Sequence, residues 1–269
     1  MPTPKMIISD IDGTIANRGV VSDRTWAAIQ AVQDAGIRFA VATGRTAGLL
    51  KPVEDRGYAG IAICDNGALT YDVGNDQVLA CELLEGKVVG DFTSQVSAAY
   101  PDIFLGISRI TPDPRAMFAE PRQLERHDFG LRPLEIHEFG RFPAAKIWAF
   151  CPDARSSEIA AKLAPIADGR LEIAWSSEGS GLVEMTAVGV TKASACEALV
   201  RRWGIEASDV VAMGDMTNDL EMLEWAGTAI VPENGNDAAK SHADEIVGHI
   251  EDDGTAAYLE SLLSLRGHR

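Results

Sequence analysis

The chain lacks the features that would place it in a membrane or on nucleic acid. No apolar run approaches the roughly 18 residues of a membrane helix, and residues 1–5 lead into a short apolar run, unlike the core of a signal peptide. Acidic residues outnumber basic ones by 40 to 24, and the formal charge of −16 repels nucleic acid and anionic membranes. We therefore expect a cytoplasmic protein with neither as a partner, in which any site for an anion must be made attractive locally.

Cysteine is also scarce, and none of it has Cys-x-x-Cys spacing. The four cysteines are Cys64, Cys81, Cys151 and Cys196. Because they are scattered and lie mostly in apolar runs, they favour reduced core thiols over a disulfide framework or a zinc site. His127 and His137 have no metal-ligand spacing either, and we expect them in loops.

What the chain does have is an alternation of short apolar runs and amphipathic segments. Residues 5–9, 37–42 and 61–64 predict buried strands. Between the first two, Ser22 is placed to cap a helix and Gly36 to end it. A helical stretch interrupted by Pro52 precedes the third. Strands that alternate with helices predict a parallel α/β sheet.

The alternation breaks after residue 67 and resumes near 188. Turn signals around 66–67 and 74–75 punctuate two strand-like runs at 68–71 and 77–83, which is a hairpin pattern. We therefore predict a Rossmann-like parallel-sheet α/β core of residues 1–83 and 188–269, with an inserted α+β cap of residues 84–187. Within the cap the pattern predicts a helix at 88–99, loops over 111–142, a strand at 146–151, a helix at 156–167, and strands at 171–175 and 182–185. In the returning core it predicts helices at 191–203, 218–226 and 256–265, and strands at 210–213, 229–231 and 245–247.

Three polar segments follow predicted strands: residues 10–14, 43–45 and 214–219. In an open α/β sheet the carboxyl ends of the strands form the ligand-binding edge, so these segments should converge. Carboxylates brought together there repel one another, and Mg²⁺ is the usual remedy. Asp10 and Asp215 are its natural ligands.

A phosphoryl group at the same cation would lie beside Asp10. Asp10 could then attack phosphorus and form an acyl phosphate, which splits a difficult hydrolysis into two steps. Asp12 could protonate the leaving oxygen and later accept a proton from water, if its surroundings keep it protonated near neutral pH. Gly13 permits the sharp turn, and the Thr14 hydroxyl can hold that turn.

Each feature has a simpler interpretation. Residues 10–14, 43–45 and 214–215 could be ordinary turns, and Asn218 or Asp219 could cap a helix. Lys192 could be a solvated surface lysine. However, Lys192 follows a predicted N-cap, and the helix dipole disfavours a cation in the first turn of a helix. A neighbouring anion therefore explains a lysine at this position better. The simpler interpretations would all have to hold together and in order.

With these motifs in order, the sequence resembles the haloacid dehalogenase-like phosphatases of the Cof type, which carry a large cap between the second and third motifs. The motifs are Asp10-Ile11-Asp12-Gly13-Thr14, Ala42-Thr43-Gly44-Arg45, Gly189-Val190-Thr191-Lys192 and Gly214-Asp215-Met216-Thr217-Asn218-Asp219, with Asp65-Asn66-Gly67-Ala68 before the cap. The resemblance implies that Asp10 is the nucleophile and Asp12 the acid/base. It implies Mg²⁺ on the Asp10 carboxylate, the Asp12 carbonyl and Asp215. The phosphoryl group would be held by Thr43, Gly44, Lys192, Asn218 and the Ile11 backbone, with Thr14, Arg45, Asn66 and Asp219 in support.

The chain departs from the family pattern at two places, Met216 and residues 231–235, which puts the rim of the pocket in question. The cap should close over the site and contact the rest of the substrate. Its arginines are Arg109, Arg115, Arg122, Arg126, Arg132 and Arg141. One or two could bind a second anionic group, although a solvated surface is the simpler interpretation. Trp148 and Trp175 could stack on a sugar or belong to the core.

We therefore expect a Mg²⁺-dependent phosphatase of a small phosphorylated metabolite, with a sugar phosphate as the expected class. Because relatives with this kind of cap also move phosphoryl groups between positions of a sugar, a phosphosugar mutase is the nearest alternative. A non-enzymatic regulator in which Asp10 accepts phosphate only as a signal is a third, and Asp12 argues against it.

Overall fold

The computed structural model describes residues 3–124 and 130–264. The strands are β1 Met6–Ser9, β2 Arg38–Ala42, β3 Ile61–Cys64, β4 Leu69–Asp72, β5 Gln77–Cys81, β6 Phe104–Ser108, β7 Met117–Ala119, β8 Arg132–Pro133, β9 Lys146–Phe150, β10 Glu172–Ala174, β11 Leu182–Thr186, β12 Val210–Met213, β13 Thr228–Pro232 and β14 Glu245–Val247. The α-helices are α1 Asp23–Asp34, α2 Lys51–Glu54, α3 Gly86–Ala99, α4 Pro121–Leu124, α5 Ile136–Phe139, α6 Ser156–Ala167, α7 Lys192–Arg202, α8 Leu220–Trp225, α9 Asp237–Ser241 and α10 Gly254–Ser264. None of the helices in these ranges has the length and apolarity needed to span a bilayer.

The larger sheet has eight strands in the order β14-β13-β12-β1-β2-β3-β4-β5. Pairing is parallel from β14 to β3, and β4 and β5 add an antiparallel hairpin. Strand β1 is fully buried, and its alternating side chains enter two cores: Ile7 packs on one face, Met6 and Ile8 on the other. Burial on both faces explains why these strands are continuous apolar runs. The predicted parallel α/β core is confirmed.

The local signals around the first helix are confirmed. The Ser22 hydroxyl accepts a hydrogen bond from the Thr25 amide at 3.0 Å, and Gly36 follows the helix with a φ of +80°. The prediction for Pro52 was wrong, because it lies in the first turn of the short helix α2 and does not interrupt a longer one. Proline is tolerated there, since the amide that it lacks would have no helical partner.

The hairpin at β4 and β5 is confirmed, and it exposes one cysteine that we expected in the core. Cys81 lies on β5, the edge strand of the larger sheet, and is exposed. Cys64 and Cys196 are buried, Cys151 is half-buried, and all four are free. The apolar run containing Cys81 therefore misled the prediction, because an edge strand has a face open to water.

The second sheet has six strands in the order β10-β11-β9-β6-β7-β8. Its pairs are antiparallel except for β7 and β8. Strand β6 escaped the sequence prediction. The segment 111–142 was also predicted as loops, but it contains β7, α4, β8 and α5; His137 is helical there, and Arg126 and His127 lie outside the described residues.

One face of the second sheet packs against its own helices, with Ile147, Val183 and Met185 in that core. The other face carries Lys146 and Trp148, because side chains alternate along a strand. We propose the division into a core of residues 1–83 and 188–269 and a cap of residues 84–187 on this basis. The larger sheet uses strands from both core segments, and the second sheet uses strands from the cap alone.

Candidate active site

The predicted site residues meet at the carboxyl edge of four neighbouring strands. Asp10 follows β1, Thr43 follows β2, and Asp215 lies two residues beyond β12. Ladder hydrogen bonds carry these connections past the strand ends: the Asp10 amide donates to the Met213 carbonyl at 2.8 Å, and the Thr43 amide donates to Ile63 at 2.8 Å. The edge therefore brings together the three polar segments that the sequence places far apart.

Lys192 connects the third motif to the first and last. Its Nζ donates to Asp10 Oδ1 at 2.6 Å and to Asp219 Oδ1 at 2.7 Å, and the residue is 1% exposed. The solvated-lysine interpretation is wrong. The predicted N-cap is present, since the Thr191 hydroxyl accepts a hydrogen bond from the Ser194 amide at 3.2 Å. Two carboxylates offset the unfavourable position of the ammonium group in the first turn of α7.

Three buried carboxylates surround this lysine. Asp10, Asp215 and Asp219 each offer an oxygen within 4.8 Å of the other two. Asp219 Oδ2 also accepts the amides of Asp215 and Met216, both at 3.0 Å. It therefore supports the loop before α8 and does not cap that helix. The predicted helix start at 218 was wrong because residues 217–219 form a 3-10 turn around this carboxylate.

Burial makes the negative charge of this cluster costly. Desolvation raises the pKa of Asp10 to about 7 against the opposing effect of Lys192. Desolvation, with the charges of Asp10 and Asp219, raises the pKa of Asp215 to about 8. Burial also opposes the charge on Lys192, but the two carboxylates that it contacts raise its pKa above the ordinary value. One ammonium group is too little positive charge for three carboxylates, so the cluster is suited to a bound cation.

The donor set fits Mg²⁺, a hard cation that binds carboxylate and carbonyl oxygens. Asp10 and Asp215 lie in the cluster as predicted ligands. The Thr14 hydroxyl donates to Asp215 Oδ1 at 3.1 Å. This differs from the expected tie within its own turn, which the Ile15 and Ala16 amides close by donating to the Ile11 carbonyl.

Position 13 requires glycine for two reasons: its backbone conformation and the lack of space for a side chain. Its φ is +81°, and a Cβ there would lie 2.2 Å from Asp215 Oδ2. Next to it, the Asn234 side chain donates to the Gly13 carbonyl at 2.7 Å and accepts from the Ile250 amide at 3.0 Å. The segment 231–235, which departs from the family pattern, thus supports the loop of residues 10–14 through Asn234. The other departure, Met216, lines the cleft.

Asp12 does not join the carboxylate cluster. Its two oxygens accept hydrogen bonds from Arg45 Nε at 2.5 Å and Arg45 Nη2 at 2.8 Å. The pair lies at the mouth of the cleft, with the Asp12 side chain 48% exposed. Such a two-point contact fixes the orientation of the carboxylate. The sequence did not reveal this ion pair, although both residues follow adjacent parallel strands.

Four more predicted residues line one cleft of about 340 Å³, together with Asp10, Asp12 and Asp215: Thr43, Gly44, Arg45 and Asn218. Thr43 and Gly44 lie in its wall, and the Thr43 hydroxyl accepts a hydrogen bond from the Arg45 amide at 3.1 Å. The Asn218 side chain donates to Asn66 Oδ1 at 3.1 Å. Ile11 is fully buried and does not line this cleft.

Two cap residues that the sequence did not reveal complete the cleft. Lys146 Nζ donates to the Gly44 carbonyl at 2.5 Å and to Glu184, and lies 3.3 Å from Asp65. Glu184 in turn accepts a hydrogen bond from Asn66 at 2.9 Å. A buried charged network therefore joins the cap to the core at Gly44 and Asn66. The available signal was a lysine at the start of an apolar strand.

The described cap arginines do not line the cleft. Arg115 pairs with Glu54 at 2.8 Å, and Arg109 lies over the Phe142 ring at 3.9 Å. Arg122, Arg132 and Arg141 pair with Glu120, Asp113 and Glu138. Trp175 packs on the cap core, whereas Trp148 faces a cavity.

Comparisons with known proteins identify the family. A family model described as haloacid dehalogenase-like hydrolase matches residues 7–259. The chain is 26% identical to the 5-amino-6-(5-phospho-D-ribitylamino)uracil phosphatase YwtE of Bacillus subtilis, over 97% of this chain and 98% of that protein. It is also 26% identical to the HMP-PP phosphatase of Serratia proteamaculans, over 94% of this chain and 93% of that protein.

Among solved structures, the HAD subclass IIB sugar phosphatase BT4131 superposes with a TM-score of 0.81 at 19% identity, covering 96% of this chain and 98% of that chain. This likeness concerns the fold, including the cap. The family model covers nearly the whole sequence and all four motifs. The chain belongs to the haloacid dehalogenase-like hydrolase family.

Proposed function

We propose that this chain is a Mg²⁺-dependent phosphatase of a small phosphorylated metabolite, with Asp10 as its nucleophile. The observation that carries the proposal is the setting of the Asp10 carboxylate, which is buried at the end of β1, bonded to Lys192 and clustered with Asp215 and Asp219. Membership of a hydrolase family and similarity to phosphatases support it.

The reaction proceeds in two steps, formation of an acyl phosphate on Asp10 and its hydrolysis. An Asp10 oxygen attacks phosphorus while the bond to the leaving oxygen breaks, and Asp12 donates a proton to that oxygen. Water then attacks the phosphorus of the acyl phosphate while Asp12 accepts its proton, so that inorganic phosphate leaves and Asp10 is restored.

The residues around Asp10 have distinct roles in this proposal. The Asp10 carboxylate, the Asp12 carbonyl and Asp215 would hold Mg²⁺, which would offset the repulsion between the nucleophile and the phosphoryl oxygens. Asp219 orients Lys192 and the backbone of the Asp215 loop.

The phosphoryl oxygens have several candidate donors at the cleft wall. Lys192, the Thr43 hydroxyl, the Asn218 amide, and the backbone at Ile11 and Gly44 are proposed to hold them, with Asn66 orienting Asn218. Lys192 keeps its positive charge in this buried position, as its raised pKa indicates. Arg45 is a positioning residue that holds the Asp12 carboxylate at the mouth of the cleft. Asp12 must leave this ion pair and take up a proton before it acts as the acid.

The substrate class is supported in part by the relatives. The curated phosphatases named above act on phosphorylated metabolites, and BT4131 is a sugar phosphatase. A sugar phosphate is therefore one candidate for this chain. We also place the protein in the cytoplasm, on the evidence of its four free and scattered cysteines.

The test is release of inorganic phosphate from a broad panel of phosphomonoesters, by purified protein with Mg²⁺ and again after chelation. We expect turnover with Mg²⁺ for at least one ester and its loss with chelator. No release from any member would contradict the proposal. Isomerised sugar phosphate would indicate a mutase, and a single phosphorylation of Asp10 without turnover would indicate a regulator.

A further inference from the structure

A line of hydrogen bonds runs from the cap into the wall of the catalytic cleft. Its four members, which we call the polar relay, are Lys146, Glu184, Asn66 and Asn218. Lys146 Nζ donates to Glu184 Oε1, and Asn66 Nδ2 donates to Glu184 Oε2 at 2.9 Å. Asn218 Nδ2 donates to Asn66 Oδ1 at 3.1 Å, and Asn218 lines the cleft. Because Lys146, Glu184 and Asn66 are buried, their polar atoms depend on one another for hydrogen bonds.

The direction of every hydrogen bond in the polar relay follows from its charged end. An ammonium group can only donate, and an ionised carboxylate can only accept. Glu184 therefore accepts from both of its neighbours, and Asn66 has to turn its NH2 group toward Glu184. That leaves the Asn66 oxygen for Asn218, which has to present its own NH2 group. This contact uses one of the two protons of the Asn218 amide, so the other can bind a phosphoryl oxygen in the cleft.

The backbone around Asn66 is strained and closely held. Asp65, Asn66 and Gly67 all have positive φ, at +52°, +54° and +110°. The Asn66 amide donates to the Thr43 carbonyl at 3.1 Å, and a Cβ at Gly67 would lie 2.2 Å from the Thr191 carbonyl oxygen. The turn thus contacts both the residue after β2 and the start of α7. Such strain persists where the surroundings enforce it, and it is concentrated at functional sites.

The contact between Glu184 and Asn66 lies against the cleft wall. A Cβ at Gly44 would lie 3.1 Å from both Asn66 Oδ1 and Glu184 Oε2. The ion pair of Glu184 with Lys146, which also donates to the Gly44 carbonyl, is enough to join the cap to the core. It does not explain why the second oxygen of Glu184 binds Asn66. The next hydrogen bond, from the cleft residue Asn218, supplies a reason.

We propose that Glu184 is a positioning residue for the phosphoryl group: by accepting from Asn66, it fixes the direction in which the Asn218 amide meets that group. The inference rests on the phosphoryl site of the proposed function and adds a cap residue to it. Glu184 lies on β11, whereas Asn66 lies in the turn between β3 and β4. The cap therefore orders the Asn218 amide only while it contacts the core, and phosphate binding should in return favour that contact.

The first test is Glu184→Gln, which keeps the shape of the side chain and adds a donor. Lys146 accepts no hydrogen bond, so the new amide must turn its oxygen to Lys146 and its NH2 group to Asn66. Asn66 and Asn218 must then reverse in turn. We expect the Kd of inorganic phosphate, measured by calorimetry with Mg²⁺ present, to rise by about tenfold, the scale of one hydrogen bond to a charged group.

The sign of this change separates positioning from simple electrostatics. Removing a negative charge beside an anion site should by Coulomb attraction alone lower the Kd of phosphate. An equal or lower Kd in Glu184→Gln would therefore overturn the inference. The matched control is Glu197→Gln, which removes the same charge from an exposed pair with Arg201 and should leave the Kd unchanged.

The second test is a rescue that a merely structural role would not give. In Lys146→Met with Glu184→Gln, the ammonium group is gone, and the new amide is free to turn its oxygen to Asn66 again. The Kd of phosphate should return to within about threefold of the wild-type value, since an amide free to take either direction halves the competent fraction. Failure of the double variant to recover affinity would overturn the inference, because damage to packing is not repaired by removing a second buried partner.

The third test asks whether Glu184 acts through Asn218. In an Asn218→Ala background, adding Glu184→Gln should change the Kd of phosphate by less than about twofold, because residues that act through one another are not additive. Circular dichroism checks the fold of each variant. The same tenfold rise in both backgrounds would show that Glu184 affects phosphate by another route, and it would overturn the inference.

Calorimetry needs no turnover, so the inference and the phosphatase proposal can fail separately. Release of phosphate from esters with an unchanged Kd in Glu184→Gln would overturn the inference alone. A tenfold rise in Kd without release from any ester would overturn the phosphatase proposal and support the positioning role. Absence of phosphate binding to the wild-type protein would overturn the inference, because Glu184 would then have no phosphoryl site to order.

Discussion

Beside the catalytic cleft lies a second cavity of about 360 Å³, the cap chamber, lined by residues that include Trp148, Phe150 and Leu182. The two cavities are built in different ways. The cleft takes its polar side chains from short segments at the ends of parallel strands, such as residues 10–14 and 214–219. The chamber takes its walls from within antiparallel strands, where Trp148 and Leu182 meet through cross-strand pairing. The residues of the cleft belong to contiguous sequence motifs. Those of the chamber come together only through the register between distant strands.

The same contrast separates the two buried lysines. Lys192 lies in a motif and contacts Asp10 and Asp219, whereas Lys146 lies in a cap strand and contacts Glu184 and Asp65. Burial opposes the charge of Lys146, but its carboxylate partners raise its pKa, and burial raises the pKa of Asp65 to about 6. Lys192 is the one that we propose serves the chemistry, whereas Lys146 joins the cap to the core.

The largest effect should come from the nucleophile. Asp10→Asn removes the attacking oxygen, so we expect kcat to fall by at least about 10⁴-fold, the scale seen when a catalytic nucleophile is deleted. Circular dichroism should show an unchanged fold, because the substitution is nearly isosteric. The exposed Asp34→Asn is the control. Wild-type turnover in Asp10→Asn would remove Asp10 from the mechanism.

The acid/base should have a smaller effect that depends on the leaving group. Asp12→Asn should slow hydrolysis of an alkyl phosphate by about 10²- to 10⁴-fold. The loss should be smaller for p-nitrophenyl phosphate, whose leaving oxygen needs no proton. Steady-state kcat/KM on both esters measures the difference, because it reports the first step, in which the leaving group departs. Equal losses in kcat/KM would argue that Asp12 does not protonate the leaving oxygen.

Asp10 and Asp12 show how much of the site can be predicted from the sequence. The proposed role of Asp10 follows from its place after an apolar strand. The bounds of the strands at 61–64, 210–213 and 245–247 were predicted to the residue. The Arg45 contact with Asp12 was not foreseen, although both ends lie in motifs, because a side-chain direction is not visible in a pattern. Strand β6 was missed because its apolar run is short and its partner residues lie nine or more positions away in the sequence.

In the cap, the buried network should show its effect on stability. Lys146→Met leaves Glu184 and Asp65 buried without their cation, and breaking such a pair lowers the free energy of unfolding by about 3 kcal/mol. Urea denaturation measures the change. Adding Glu184→Gln to that variant removes one unpaired charge and should restore part of the loss. The exposed Lys87→Met should change little. An unchanged free energy of unfolding in Lys146→Met would mean that the network does not contribute to stability.

The smallest effect separates backbone strain from metal binding. Gly13 and Gly36 both have positive φ, +81° and +80°, but a Cβ at Gly13 meets Asp215 while one at Gly36 meets nothing within 4 Å. Both Gly→Ala variants should lose about 1 kcal/mol of stability from strain alone. Only Gly13→Ala should displace a proposed Mg²⁺ ligand, and we expect it to raise the Mg²⁺ concentration for half-maximal activity by about tenfold, the lower end of the effect of disturbing a metal ligand's support. Titration of activity with Mg²⁺ distinguishes the two, and equal shifts would mean that the approach of Gly13 to Asp215 does not control the cation.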